Sequence, residues 1–182
     1  MLKKFDGKAW FIVDHDGKFI DNIDTDQIFH NKHLAITDIT KMGVHAFGNL
    51  KGWEDFPEKV QPNDIIIVGD NFGAGSSRQQ AVDCFRALGI SVIVGKSFGS
   101  IYKRNAINSG FPILIIDEGE QFFTGDESID SPNRLITIDL ESCDINDSKT
   151  GKFIGKIKSL SQVEREIYAA GDIFRYGKKL TD

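Results

Sequence analysis

Residues 64–78, DIIIVGDNFGAGSSR, constrain this chain more than any other stretch. Ile65, Ile66, Ile67 and Val68 form an unbroken apolar run, the pattern of a strand buried on both faces. Gly69, Gly73 and Gly75 then mark a turn. From Ser76-Ser77-Arg78 onward the pattern is helical: Ala81, Val82, Phe85 and Leu88 share one face, and Gly89 suits the position just past a helix end. The order is strand, glycine turn, helix N-terminus. Unpaired backbone N–H groups and the helix dipole favour an anion at such a point. Two hydroxyls and a guanidinium add directed donors, and the arginine fork suits a carboxylate or phosphate. Two readings fit the turn. Either it is an anion site, or Ser76 or Ser77 merely caps the helix and Arg78 is a solvated first-turn residue.

The flanking sequence repeats the same alternation. Residues 91–94 (SVIV) and 112–116 (PILII) are further continuous apolar strands. Between them Ser97 is placed to cap a helix over residues 98–108, ending near Gly110. Strands alternating with helices predict an α/β fold, with right-handed βαβ units and a parallel sheet core carrying helices. Residues 9–13 (AWFIV) read as the first strand, and residues 18–20 continue it after the Asp16-Gly17 hairpin signal. Residues 50–63 form a loop in which Trp53 and Phe56 are either anchors or part of a partner-facing surface. Ile39, Met42, Val44 and Phe47 give a rough helical face, with Thr37 or Asp38 as its cap and Gly48 as its end. Residues 117–133 read as a surface excursion. Residues 135–140 (LITIDL) and 152–158 (KFIGKIK) alternate apolar and polar about a turn at 146–151, which predicts an antiparallel hairpin. Ser161 and Glu164 form a capping box opening a last helix that Gly171 closes.

Nothing interrupts the 182 residues as a linker or repeat, so residues 1–182 read as a single domain. A net charge of −5 offers no basic field for nucleic acid, and no apolar run approaches the ~18 residues of a membrane span. No apolar segment follows the N-terminal lysines, so the expected location is the cytoplasm. The two cysteines, Cys84 and Cys143, fall short of the thiolate set of an iron–sulfur cluster or a cysteine-rich zinc site. No metal ligands are assigned to the chain. Residues 21–28 (DNIDTDQI) make a poor helix and an awkward strand, and fit loop chemistry in which aspartates bond nearby backbone N–H groups. His15, His30 and His45 receive no role.

The run Gly73-Ala74-Gly75-Ser76-Ser77-Arg78, the Lys96-Ser97-Phe98 segment and the Arg104–Gly110 stretch RNAINSG resemble, in order and spacing, the small subunits of the aconitase family. These include the isopropylmalate-type and homoaconitase-type small subunits, and the swivelling C-terminal domain of single-chain aconitases. The resemblance covers residues 8–179. It implies a swivelling β/β/α lid domain with a C-terminal hairpin and helix. It implies a hydro-lyase that moves a hydroxyl between adjacent carbons of a malate-type acid by dehydration and rehydration. Ser76 matches the base, Arg78 the group that grips a substrate carboxylate, and Ser77 a residue that hydrogen-bonds the substrate. Asp26, in the D-x-x-T-D-x-I segment, matches a residue that orients a histidine of the large subunit; Asp24 is left as structural. The [4Fe–4S] cluster is expected on that large subunit, with this chain as a lid that is inactive alone.

Within the same resemblance, His33, Leu34, Ala35, Ile36 and Thr37 fall on the loop that selects substrate. Ala35 stands where an arginine would bind an extra carboxylate, so a small or alkyl γ-substituent is expected and isopropylmalate leads. His33 and Ile36 depart from the Tyr-Leu-Arg-Thr and Tyr-Leu-Val-Tyr patterns, Lys32 lies beside them, and Gln79-Gln80 replaces Glu-His after the arginine. Dimethylmalate and citraconate or citramalate come next, and homoaconitate, against which Ala35 argues, stays as an alternative. A non-catalytic carboxylate-binding module is the rival from another class. A nucleotide site is disfavoured, since neither G-x-G-x-x-G nor a P-loop spacing is present.

Overall fold

The computed structural model describes residues 3–118 and 134–181. Of the excursion expected over 117–133, residues 119–133 lie outside the described residues. Four strands run parallel in the order β1 (Lys4–Phe11), β2 (Ile65–Val68), β3 (Val92–Gly95) and β4 (Ile113–Glu118). An antiparallel meander of β5 (Leu135–Asp139), β6 (Asp144–Asp147) and β7 (Phe153–Ile157) then closes them into a seven-stranded barrel. β7 pairs with β4, and β5 pairs with β1, both antiparallel.

This corrects two expectations. The expected parallel sheet does not stand alone but continues through β5–β7 into a closed mixed barrel. The C-terminal hairpin is a three-stranded unit: residues 135–139 do not pair with 153–157 but with β6, which sequence reading missed. In β6, Asp-Ile-Asn-Asp, Ile145 alone is apolar and fully buried, so the strand has no alternation long enough to read. β1 also begins five residues earlier than read. Its first half, residues 4–8, pairs with β5, and only Ala9, Trp10 and Phe11 pair with β2.

The apolar run of β2 is buried on both faces. Ile65 and Ile67 point into the barrel with Val92, Val94, Leu114, Ile136 and Ile138. Ile66 and Val68 face a second core beneath the helices, with Phe47, Phe56, Phe72, Val82 and Phe85. That second core covers the sheet with α1 (Thr25–Ile28), α2 (Phe56–Lys59), α3 (Gln80–Ala87) and α4 (Ser100–Asn108). Of three 3-10 turns, at Asn31–His33, Ile39–Lys41 and Gly43–His45, the last two replace the single helix expected over 39–47. Asp38 does cap the second of these, accepting from the Thr40 N–H at 3.1 Å. Phe56 is fully buried and the Trp53 indole donates to the Val13 carbonyl, so both tie the 50–63 loop down.

α5 (Gln162–Ala170) and α6 (Ile173–Thr181) complete the chain. The Ser161–Glu164 capping box is formed, and Gly171 ends α5 in the left-handed region at φ +96°. Among the described residues, no helix is long and apolar enough to cross a membrane.

Candidate active site

The glycine turn leaves the carboxyl end of β2, where parallel strands of α/β sheets present their ligand sites. It is clamped from both sides. On one side the Gly73 N–H donates to the Ile23 carbonyl at 2.7 Å, and the Thr25 N–H to the Ala74 carbonyl at 2.9 Å. The Thr25 hydroxyl adds a bond to the Ser76 carbonyl at 3.1 Å. On the other side the Phe72 N–H donates to Ser97, and the Gly99 N–H donates back to Phe72. Gly73 is required here: φ is +75°, and a Cβ would lie 2.2 Å from the Tyr102 ring. Tyr102 is buried and packs edge-on to Phe72, so the ring has nowhere to go.

Two local expectations change. α3 starts at Gln80, so Ser76, Ser77 and Arg78 precede the helix instead of forming its first turn, and neither serine caps it. Ser97 does not cap α4. Its hydroxyl accepts from the Asn71 N–H and donates to Asp70, bracing the turn after β2.

Asp26 and Arg78, 52 residues apart in sequence, meet directly: Arg78 Nη1 lies 2.7 Å from Asp26 Oδ1. Asp24 makes this possible. It caps α1 through a capping box with Gln27, which fixes the first turn on which Asp26 sits. Asp26 Oδ1 also accepts from the Asn31 N–H, and its Oδ2 from the Asn49 amide at 3.0 Å. The Arg78 bond, reinforced by the Asn31 N–H, holds the Asp26 carboxyl below the usual carboxylate range. Arg78 Nη1 donates in addition to the Phe29 carbonyl at 3.3 Å, while Nε and Nη2 meet no acceptor among the described residues.

Ser76 and Ser77 are exposed at the tip. The Ser76 hydroxyl has no partner among the described residues, and the Ser77 hydroxyl accepts from the Asn105 amide at 3.2 Å. Residues 33–37 lie next to this tip, tethered by the Gln80 amide, which donates to the Leu34 carbonyl at 3.2 Å. Ala35 and Thr37 are exposed, while Ile36 packs against the helical core. The His33 ring stacks on His45 with centroids 3.8 Å apart and planes 17° apart, and both meet the edge of buried Phe29. Burial, then the neighbouring His45, pushes the His33 imidazole below its ordinary pKa.

The structure thus brings together Asp26, Arg78 and, through Gln80, the 33–37 loop. Four residues around the site escaped sequence reading: His45, Asn49, Gln80 as a tether, and Asn105. Asn105 lies inside the RNAINSG stretch, which was a signal; His45 and Asn49 carried none.

The cysteines lie in different cores. Cys84 is fully buried on α3, where burial raises its thiol far above the normal range, and Cys143 packs against the barrel core. They cannot converge on one cluster. Asp14, His15 and Asp16 place donor atoms within 4.8 Å of one another on an exposed turn. Asp14 Oδ1 there already accepts from the Asp16 and Lys18 N–H groups, which accounts for the cluster as turn chemistry.

The aconitase C-terminal domain family matches residues 15–118. A 3-isopropylmalate dehydratase small subunit of Nautilia profundicola is 35% identical over 96% of this chain and 94% of its own length. The methanogen homoaconitase small subunit of Methanocaldococcus jannaschii is 39% identical over 89% of this chain and 88% of its own. A crystal structure described as 3-isopropylmalate dehydratase (leuD) from the same archaeon superposes with a TM-score of 0.80 at 35% identity, covering 98% of this chain and 95% of that one. The chain therefore belongs to the aconitase C-terminal domain family.

Proposed function

We propose that this chain is the small subunit of a hydro-lyase that isomerises a malate-type hydroxy acid, with 3-isopropylmalate as its substrate, in the cytoplasm. The observation that carries the reading is the convergence of three elements. Arg78 is anchored by Asp26, the Ser76 hydroxyl is open to solvent beside it, and the 33–37 loop is tied to the same tip through Gln80. The relatives named above support the substrate class, and Ala35 with Ile36 supports an alkyl γ-group, since neither offers a partner to a buried carboxylate.

Dehydration needs a base for a weakly acidic proton next to a carboxylate, and cationic stabilisation of the charge that develops. Ser76 is the base in this reading. Its hydroxyl is weakly basic, so it needs a positive surrounding, which Arg78 begins to provide. Arg78 keeps its Nε and Nη2 donors for a substrate carboxylate while Nη1 is held by Asp26, so the fork is oriented before substrate arrives. Ser77, fixed by Asn105, offers a hydrogen bond to the substrate. Asp26 presents Oδ2 on the far side of the ion pair, where an imidazole of the large subunit would complete its shell.

The whole of residues 1–182 acts as one lid domain in this reading. A [4Fe–4S] cluster on the large subunit would act as a Lewis acid toward the departing hydroxyl. Cys84 and Cys143, in separate cores, do not fit it as ligands.

Anaerobic reconstitution with the large subunit tests the proposal. The panel is 3-isopropylmalate, 2,3-dimethylmalate, citraconate and homoaconitate. Turnover is expected only with both chains present, with the highest kcat/KM on 3-isopropylmalate. An assembled complex that turns over none of these acids would leave the carboxylate-binding module as the better reading. Preference for homoaconitate would keep the reaction and overturn the substrate.

A further inference from the structure

We propose that His45, which lies outside the 33–37 loop, is a positioning residue that sets the pose of that loop. This rests on reading residues 33–37 as the substrate loop. Ala35 is exposed and has no side chain beyond Cβ, so it cannot fix its own place. Its place is set by its neighbours. Ile36 packs into the helical core, and the Leu34 carbonyl accepts from Gln80. Backbone bonds fold the segment locally, from the His33 N–H to the His30 carbonyl and from the Ile36 N–H to the His33 carbonyl, and the His33 ring is seated by Phe29, His30 and the face-to-face contact with His45 at 3.8 Å and 17°.

The platform under this stack is buried. His45 closes the Gly43–His45 turn, whose Ala46 and Phe47 neighbours are fully buried. Both imidazoles abut the edge of Phe29, itself fully buried, whose carbonyl accepts from Arg78. The stack therefore references the loop to the same residue that helps seat the guanidinium. A shift of His33 would move Ala35 relative to Arg78 without disturbing Arg78 itself. Loop pose acts on how the variable end of the substrate is bound, and so on KM and substrate preference more than on kcat.

The test compares His45→Ala with His45→Phe. The alanine variant removes the stack; the phenylalanine variant keeps a flat ring of similar size against His33. In the reconstituted complex, His45→Ala is expected to raise KM for 3-isopropylmalate about three- to tenfold, the range of one ring–ring contact, with kcat within about twofold. His45→Phe is expected to restore KM to near the wild-type value. In the chain alone, the backbone amide resonances of Leu34, Ala35 and Ile36 should shift in His45→Ala and return in His45→Phe. If His45→Ala does not fold, His45→Leu takes its place in both arms.

Unmoved amide resonances of the loop, or unchanged KM in a complex whose wild type is active, would overturn the positioning role. Equal losses of kcat and KM quality in both variants would also overturn it, because a general packing defect would explain them. A wild-type complex without turnover would instead count against the proposed function. The amide shifts, read on the chain alone, would still decide for or against His45.

Discussion

The Asp26–Arg78 pair carries a double-mutant prediction whose size follows from its surroundings. The perturbations are Asp26→Asn, Arg78→Ala and the two together. The bond is 2.7 Å long and charge-assisted, with side chains 31% and 16% exposed. A buried charge-assisted bond contributes about 1.5–3 kcal/mol, and an exposed ion pair about 0–1 kcal/mol. This pair sits between those limits, so a coupling of about 1–2 kcal/mol is expected. Removing Arg78 does not orphan the carboxylate, which keeps the Asn31 N–H and the Asn49 amide. The single-variant loss should therefore stay near the coupling energy. For a chain of this size it corresponds to a Tm lowered by about 3–6 °C. Urea unfolding of the isolated chain, followed by far-UV circular dichroism, measures all four corners of the cycle. A coupling below about 0.3 kcal/mol, within the usual additivity error, would refute the claim that Asp26 seats the guanidinium.

The same pair sets a pH dependence. The folded Asp26 carboxyl titrates below its ordinary value of 3.8, chiefly because of Arg78, so its contribution is fully present above that value and is lost as pH falls through the folded pKa. The stability gap between wild type and Asp26→Asn should therefore shrink on acidification below about pH 4, and a gap that grows there would contradict the assignment. Gly73→Ala combines a left-handed φ with a Cβ 2.2 Å from buried Tyr102, and should cost about 2–4 kcal/mol; urea unfolding within about 1 kcal/mol of wild type would mean the turn relaxes freely. Ala35→Arg should move preference from 3-isopropylmalate toward homoaconitate by about tenfold or more in relative kcat/KM, and an unchanged panel would mean the loop does not meet the γ-group.

What could be read from the chain follows how local each signal is. β2 was legible because Ile65, Ile66, Ile67 and Val68 each meet a core, alternately inside and outside the barrel. The helix ends at Gly89 and Gly171 were legible because a left-handed C-terminal glycine is a one-residue signal, and the Ser161 capping box spans a single turn. Barrel closure was not. It depends on Lys4–Lys8 pairing with residues 135–139, and no local pattern encodes a partner that distant. β6 was invisible for a different reason: one buried isoleucine between polar residues becomes a strand only because β5 and β7 flank it.

The site divides the same way. Ser76, Ser77 and Arg78 stood out as a run, although their helix begins two residues beyond Arg78. That Asp26 and Arg78 would bond each other was not legible, because the contact depends on the Ile23–Thr25 segment lying along the Gly73–Ser76 turn. The His33–His45 stack joins the Asn31–His33 turn to the second of two 3-10 turns that stand where the apolar spacing suggested one helix.

The central claim is that the open hydroxyl at the tip performs the proton transfer, and the most direct measurement is turnover of 3-isopropylmalate by a complex rebuilt with Ser76→Ala. Because that hydroxyl has no partner among the described residues, the variant should fold and assemble as wild type does. The account predicts intact assembly by size-exclusion chromatography and a kcat lower by about a hundredfold or more. An assembled Ser76→Ala complex with near-normal kcat would contradict it.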